Sequence, residues 1–195
     1  MKTHWKNDMT FVHMFYQFYF WFDLLCFFFT GCSISDYPST ITPAQPIGDF
    51  KLGHLVVKAE AAQKGFFSRN ASKTVLEETL KKKLSKSLVN QNGEHFFHIS
   101  VVVSGYVLAQ PGIPILLSPK SVLILDVFLF DDQTQEKVFE KPTRFTIFES
   151  FSTDTLLGTG LTLTAEEQLD DLTTIAVYKI SNWLVKNKEV FNKKL

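Results

Sequence analysis

The run SVLILDVFLF, from Ser121 to Phe130, constrains this chain more than any other stretch. Side chains alternate across a strand, so Leu123, Leu125, Val127 and Leu129 share one face and Val122, Ile124, Asp126, Phe128 and Phe130 the other. Both rows are apolar apart from Asp126, and a strand that is greasy on both faces belongs in the middle of a sheet. The rest of the chain must then supply neighbouring strands, and helices with an apolar side to cover them.

Two such helices are legible as periodic stripes. In SKTVLEETLKKKLSKSLV, Ser72 to Val89, the residues Leu76, Leu80, Leu84 and Leu88 recur at every fourth position, which is one face of an amphipathic helix. Glu77 and Glu78 precede the lysines from Lys81 onward, as the helix dipole favours, and LKKKLSKSL reads as a solvated helical face. Near the C-terminus Thr164 and Glu167 have capping-box spacing, and Leu169, Leu172, Ala176, Ile180 and Trp183 line one side of the helix that follows.

Further strands are predicted at KLGHLVVKAE (Lys51 to Glu60), HFFHISVVVSGYVL (His95 to Leu108) and TRFTIFESFS (Thr143 to Ser152). Gly105 marks a bulge or a close approach. The order β-α-β-β-β-α predicts an α+β two-layer domain: a four-stranded, mostly antiparallel sheet with both helices on one face. That leaves the row carrying Phe128 and Phe130 without a roof, a candidate surface for a protein partner or a second copy.

The chain has 195 residues, 45% of them hydrophobic and 21% charged, with zero formal net charge. That supports one domain with a real core. Nucleic acid is not an expected partner, because phosphate binding needs a clustered basic field. Eight of the 20 phenylalanines precede Gly31. There a polar start carrying Lys2 and Lys6 runs into MTFVHMFYQFYFWFDLLCFFF and then the small residues Thr30 and Gly31, the three parts of a secretory signal. The alternative is an uncleaved, single-pass inner-membrane anchor. Against it, Asp23 inside a spanning helix would cost roughly 2.5–3.5 kcal/mol.

Phe29 to Cys32, FTGC, resembles the lipobox of bacterial lipoproteins. Gly31 and Cys32 match its most demanding positions, and Phe29 stands where an aliphatic residue is usual. The other cysteine, Cys26, follows the bulky Leu25 and fits poorly. The resemblance implies cleavage between Gly31 and Cys32, acylation of Cys32 and a lipid anchor; Ser33 stands where Asp would imply retention at the inner membrane, so the implied destination is the periplasmic side of the outer membrane. Two or three acyl chains hold a membrane stably where one does not. Residues 1–31 are then the signal peptide, 32–50 a lipidated N-terminus and flexible tether rich in Ser, Thr and Pro, and 51–195 the α+β periplasmic domain.

The element order on such a tether also resembles uncharacterised lipoprotein families of Proteobacteria. LILDVFLFDDQTQEK and GTGLTLTAEEQLDDL…ISNWL carry the likeness, with Gln135 standing where those families tend to have glycine. The resemblance implies a fold and no activity.

Chemistry is sparse. His95 and His98 are three apart, and on a strand that spacing sends them to opposite faces, so no metal site and no cofactor is expected. His54 reads as a strand residue satisfied by its neighbours. Asp131 and Asp132 fit turn chemistry. Asp126 needs a partner if it is buried, and Arg144 on the next strand is the candidate for a structural ion pair. The connection AQPGIPILLSPKS carries Ile113, Ile115, Leu116 and Leu117, which either fold back on the core or dock a partner. The sequence thus predicts a non-enzymatic, lipid-anchored accessory or binding module of the cell envelope. An envelope hydrolase or small-ligand binder using Asp126 is the rival from another class.

Overall fold

The computed structural model describes residues 45–110, 121–149 and 164–192. Cys26, Gly31, Cys32 and the aliphatic group Ile113, Ile115, Leu116 and Leu117 lie outside the described residues. So do the C-terminal residues of the strand expected to run on to Ser152.

The elements follow in the order β1 (Lys51–Lys58), β2 (Gln63–Lys64), α1 (Lys73–Leu88), β3 (Phe96–Val107), β4 (Val122–Asp131), β5 (Thr143–Phe148), α2 (Ala165–Lys186) and α3 (Lys188–Phe191). β4 is the inner strand its composition demands, with β3 on one side and β5 on the other, both antiparallel. β1 completes the sheet order β1-β3-β4-β5, and the short β2 lies beside the C-terminal end of β3.

Two details differ from the sequence expectation. The sheet has five strands rather than four, and it is mixed: β1 and β2 both pair with β3 in parallel. The reason is the connection. A helix between two strands of one sheet returns the chain to the starting end, which makes the strands parallel, and α1 is that crossover. The expected irregularity at Gly105 is present as a register shift between Val103 and Gly105.

The core is the helix-facing side of the sheet. Leu123, Leu125, Val127 and Leu129 of β4 are buried with Ile99, Val101 and Val103 of β3, the α1 stripe Leu76, Leu80, Leu84 and Leu88, and Leu169, Leu172, Ala176 and Ile180 of α2. Trp183 lies at the rim, partly buried between Phe139 and Phe145. Ile47 and Phe50, which the sequence placed in the tether, are fully buried. Phe50 stacks on Phe97 and meets Phe191 edge-on, so the packed body begins before Lys51.

Ser72 caps α1, its hydroxyl accepting from the Val75 N–H. Thr164 and Glu167 form the expected capping box on α2. Most of the lysine run is solvated, but Lys83 departs from it. Its side chain is 12% exposed and ties α1 to α2 through Asp170 and Thr174, each at 2.7 Å. No helix among the described residues is long and apolar enough to cross a membrane.

Candidate functional site

Among the described residues, the sheet face turned away from α1 and α2 has no helix over it. The strand registers bring its residues into rows. Val56, Ser100 and Phe128 lie in line across β1, β3 and β4, and the next row runs Lys58, Val102, Asp126 and Arg144 across four strands. Beyond it Ile124 pairs with Thr146, and Val122 with Phe148. Phe128, Phe130, Val122 and Ile124 are half-buried, while Val56 and Phe148 are exposed. The Lys137 ammonium lies 5.7 Å from the centre of the Phe128 ring, within cation–π range.

Asp126 is the charged centre of this face. Arg144 donates to it twice, Nε to Oδ1 at 2.7 Å and a terminal nitrogen to Oδ2 at 2.9 Å, and the Ser104 hydroxyl donates to Oδ2 as well. The Arg144 hydrogen bonds hold the Asp126 carboxyl below its ordinary range, with Ser104 adding to them and burial opposing. The same bonds raise the Arg144 guanidinium. The Asp126–Arg144 pair read from the sequence is therefore present. With both oxygens engaged and the charge held, this carboxylate is poorly placed to accept a substrate proton.

Ser104 was not legible as a third partner. It is the residue left without a register partner where β3 shifts between Val103 and Gly105, and only the packing of β3 against β4 brings its hydroxyl to Asp126.

The histidines separate as expected, but each has a specific role. His95 Nδ1 lies 2.5 Å from Asp49 Oδ2, and Asp49 Oδ1 accepts the backbone N–H groups of Glu94 and His95. Those contacts, the Glu94 amide foremost, lower the Asp49 carboxyl. His98 Nδ1 accepts the His54 backbone N–H at 2.9 Å, so the ring proton resides on Nε2 and is donated to Asp132 at 2.8 Å. The His54 ring lies over it, centroids 5.0 Å apart. Gly53 is needed here because a Cβ would intrude on the His98 ring. Asp132 thus does more than terminate a turn, whereas Asp131 does turn chemistry proper, accepting the amides of Gln133 and Thr134. Gln135 adopts φ +58°, a left-handed position that glycine fills more easily. Among the described residues no group of three or more His, Cys, Asp or Glu side chains is arranged to hold a metal ion.

A shallow groove of about 400 Å³ lies between α1 and the start of α2, lined by Val75, Thr79, Leu169, Glu166, Glu167 and Asp170. It lies in the helical layer, away from the open sheet face.

One exposed feature escaped the sequence reading. The turn after β2 presents Phe66 and Phe67, 93% and 75% exposed. Two adjacent phenylalanines in a segment of Gly, Ser and Asn were the available signal.

No family model matches the sequence, and no curated protein matches it. Solved structures to which the chain is similar include a DUF330 protein from Xanthomonas campestris, 15% identical at a TM-score of 0.42, covering 79% of this chain and 94% of that one. The PelC dodecamer of Paraburkholderia phytofirmans is 14% identical at a TM-score of 0.38, covering 72% and 92%. A minor lipoprotein from Acinetobacter baumannii is 22% identical at a TM-score of 0.30, covering 66% and 92%. One of these three is named a lipoprotein; likenesses this distant carry no function to the present chain.

Proposed function

We propose that this chain is a lipid-anchored cell-envelope protein, attached through acylated Cys32 to the periplasmic side of the outer membrane, whose domain is a non-enzymatic binding or assembly module. The observation that supports a binding role is the half-apolar sheet face. Val56, Val102, Ile124, Phe128, Phe130 and Phe148 lie around an ion pair whose groups already satisfy each other. A surface of that make-up contributes to contact by desolvation, and the Asp126–Arg144 pair fixes its register without leaving a free charge at its centre. A neighbouring envelope protein or a second copy of the chain would occupy it.

Two measurements test the reading. Metabolic labelling with a fatty acid should mark the wild-type product and leave Cys32→Ser unmarked and uncleaved. An unmarked wild type removes the anchor. On the compact unit Asp36–Leu195, light scattering or cross-linking in envelope extracts should show an association that Phe128→Asp abolishes. A strictly monomeric protein with no cross-linked neighbour would refute the binding face.

A further inference from the structure

We infer that the Phe66–Phe67 turn is an interfacial membrane contact, inserting both rings at the headgroup boundary of an anionic phospholipid surface. This rests on the lipid-surface location proposed above and adds to it a second, non-covalent attachment.

The turn is held rigidly for a segment so exposed. The Ser68 N–H donates to the Gly65 carbonyl at 3.3 Å, closing a four-residue turn with Phe67 at its third position. Phe67 has φ +56°, a conformation ordinary for glycine at that position of a type II turn and sparsely populated for a bulky side chain. Both flanks are clamped to the end of β3. The Gly65 N–H donates to the Tyr106 carbonyl at 2.9 Å, the Arg69 N–H to the Leu108 carbonyl at 3.0 Å, and the Leu108 N–H to the Ser68 hydroxyl at 2.8 Å. Residues kept in sparsely populated backbone conformations by the structure around them cluster at functional sites such as ligand clamps and switch regions. What is presented here is a convex aromatic pair. A protein surface needs a matching pocket to cover such a wedge, whereas a bilayer interface accommodates it without one.

Charge points the same way. Between Lys58 and Lys73 the chain carries Lys58, Lys64, Arg69 and Lys73 against Glu60 alone, in a protein of zero formal net charge. Basic residues beside interfacial aromatics favour anionic lipid. The topology also fits. β1 and β2 lie along the same edge of β3, so the point where the chain enters the fold, near Ile47, and the Phe66–Phe67 turn fall at the two ends of one sheet edge. A domain resting on that edge brings both to the bilayer. The thirteen peptide steps from Cys32 to Gln45 reach at most about 45 Å, ample for this orientation.

The test is Phe66→Trp in the full chain, produced in a host that processes lipoproteins and reconstituted into phosphatidylglycerol-containing vesicles, with the wild-type tryptophan signal subtracted. The added emission should shift to the blue, be quenched by lipids brominated near the top of their acyl chains, and be quenched less in pure phosphatidylcholine. Phe67→Gly in the same background should keep the melting temperature, because glycine suits the backbone there, and lose quenching. An emission that stays at its aqueous position without quenching overturns the contact. A blue shift without bromine quenching overturns it too, and assigns the rings to a protein partner. Quenching unchanged by Phe67→Gly overturns insertion of the pair. Fatty-acid labelling of the same preparation reads the anchor independently. Labelled protein with unquenched Trp emission removes the contact and leaves the anchor, and the opposite result does the reverse.

Discussion

Replacing Arg144 by Met, which keeps the aliphatic stem and removes the guanidinium, leaves Asp126 with Ser104 as its remaining side-chain partner. Exposed ion pairs contribute about 0.2–1 kcal/mol, whereas deleting one partner of a buried pair costs about 3–5 kcal/mol. This pair lies between those limits, because the Asp126 side chain is 13% exposed and that of Arg144 66%. Two hydrogen bonds to a charged group, discounted for the solvated guanidinium, give an expected loss of about 1.5–2 kcal/mol. With a urea slope near 2 kcal/mol/M, that is a midpoint shift of about 0.8–1 M.

The assay is urea unfolding of the unit Asp36–Leu195 for wild type, Arg144→Met, Asp126→Asn and the double variant, at neutral pH and towards acid. Asp126 titrates lower in the folded chain than in the unfolded one. Its contribution is therefore complete above the unfolded value of about 3.9 and is lost as pH falls through the lowered folded value. The wild type should lose stability in that acid window more steeply than Arg144→Met, and the gap between them should narrow. A double-variant coupling under about 0.3 kcal/mol, or a gap that does not change with pH, would refute the assignment of the pair as the organiser of this face.

Three further outcomes are expected in the same unit. Leu125→Ala, at a fully buried site on the inner strand, should cost about 2–5 kcal/mol in urea unfolding through lost burial and the cavity left behind. Ser87 and Ser181 face each other across α1 and α2 with hydroxyls 3.0 Å apart. Ser87→Ala should cost about 1–3 kcal/mol by stranding the Ser181 hydroxyl, and adding Ser181→Ala should recover part of that loss, read as melting temperatures of the single and double variants. Gly93→Ala should lower the melting temperature strongly, because a Cβ there would collide with the Phe50 backbone, and Gly93 donates to the Phe50 carbonyl at 3.1 Å. Unchanged melting would show that this contact yields freely.

The sequence by itself determined the parts whose signals are local or periodic. The two-sided greasiness of Val122 to Phe130 required an inner strand. The four-residue leucine repeat placed both ends of α1 to within a residue, and the Thr164–Glu167 capping box placed the start of α2. Asp126 and Arg144 were legible as a pair because a carboxylate inside an apolar strand needs a cation, and adjoining antiparallel strands supply one.

What the tertiary structure alone decided depends on register and on contacts between distant segments. The parallel pairing of β1 and β2 with β3, Ser104 as the third member at Asp126, and the link from His54 through His98 to Asp132 join residues 22 to 45 positions apart. A one-residue slip would send each of those side chains to the other face, and no local pattern fixes it. The burial of Ile47 and Phe50 and the exposure of Phe66 and Phe67 have the same origin. Apolar residues in irregular segments carry no periodicity to say which way they face, so only the packed neighbours of each, or their absence, settle it.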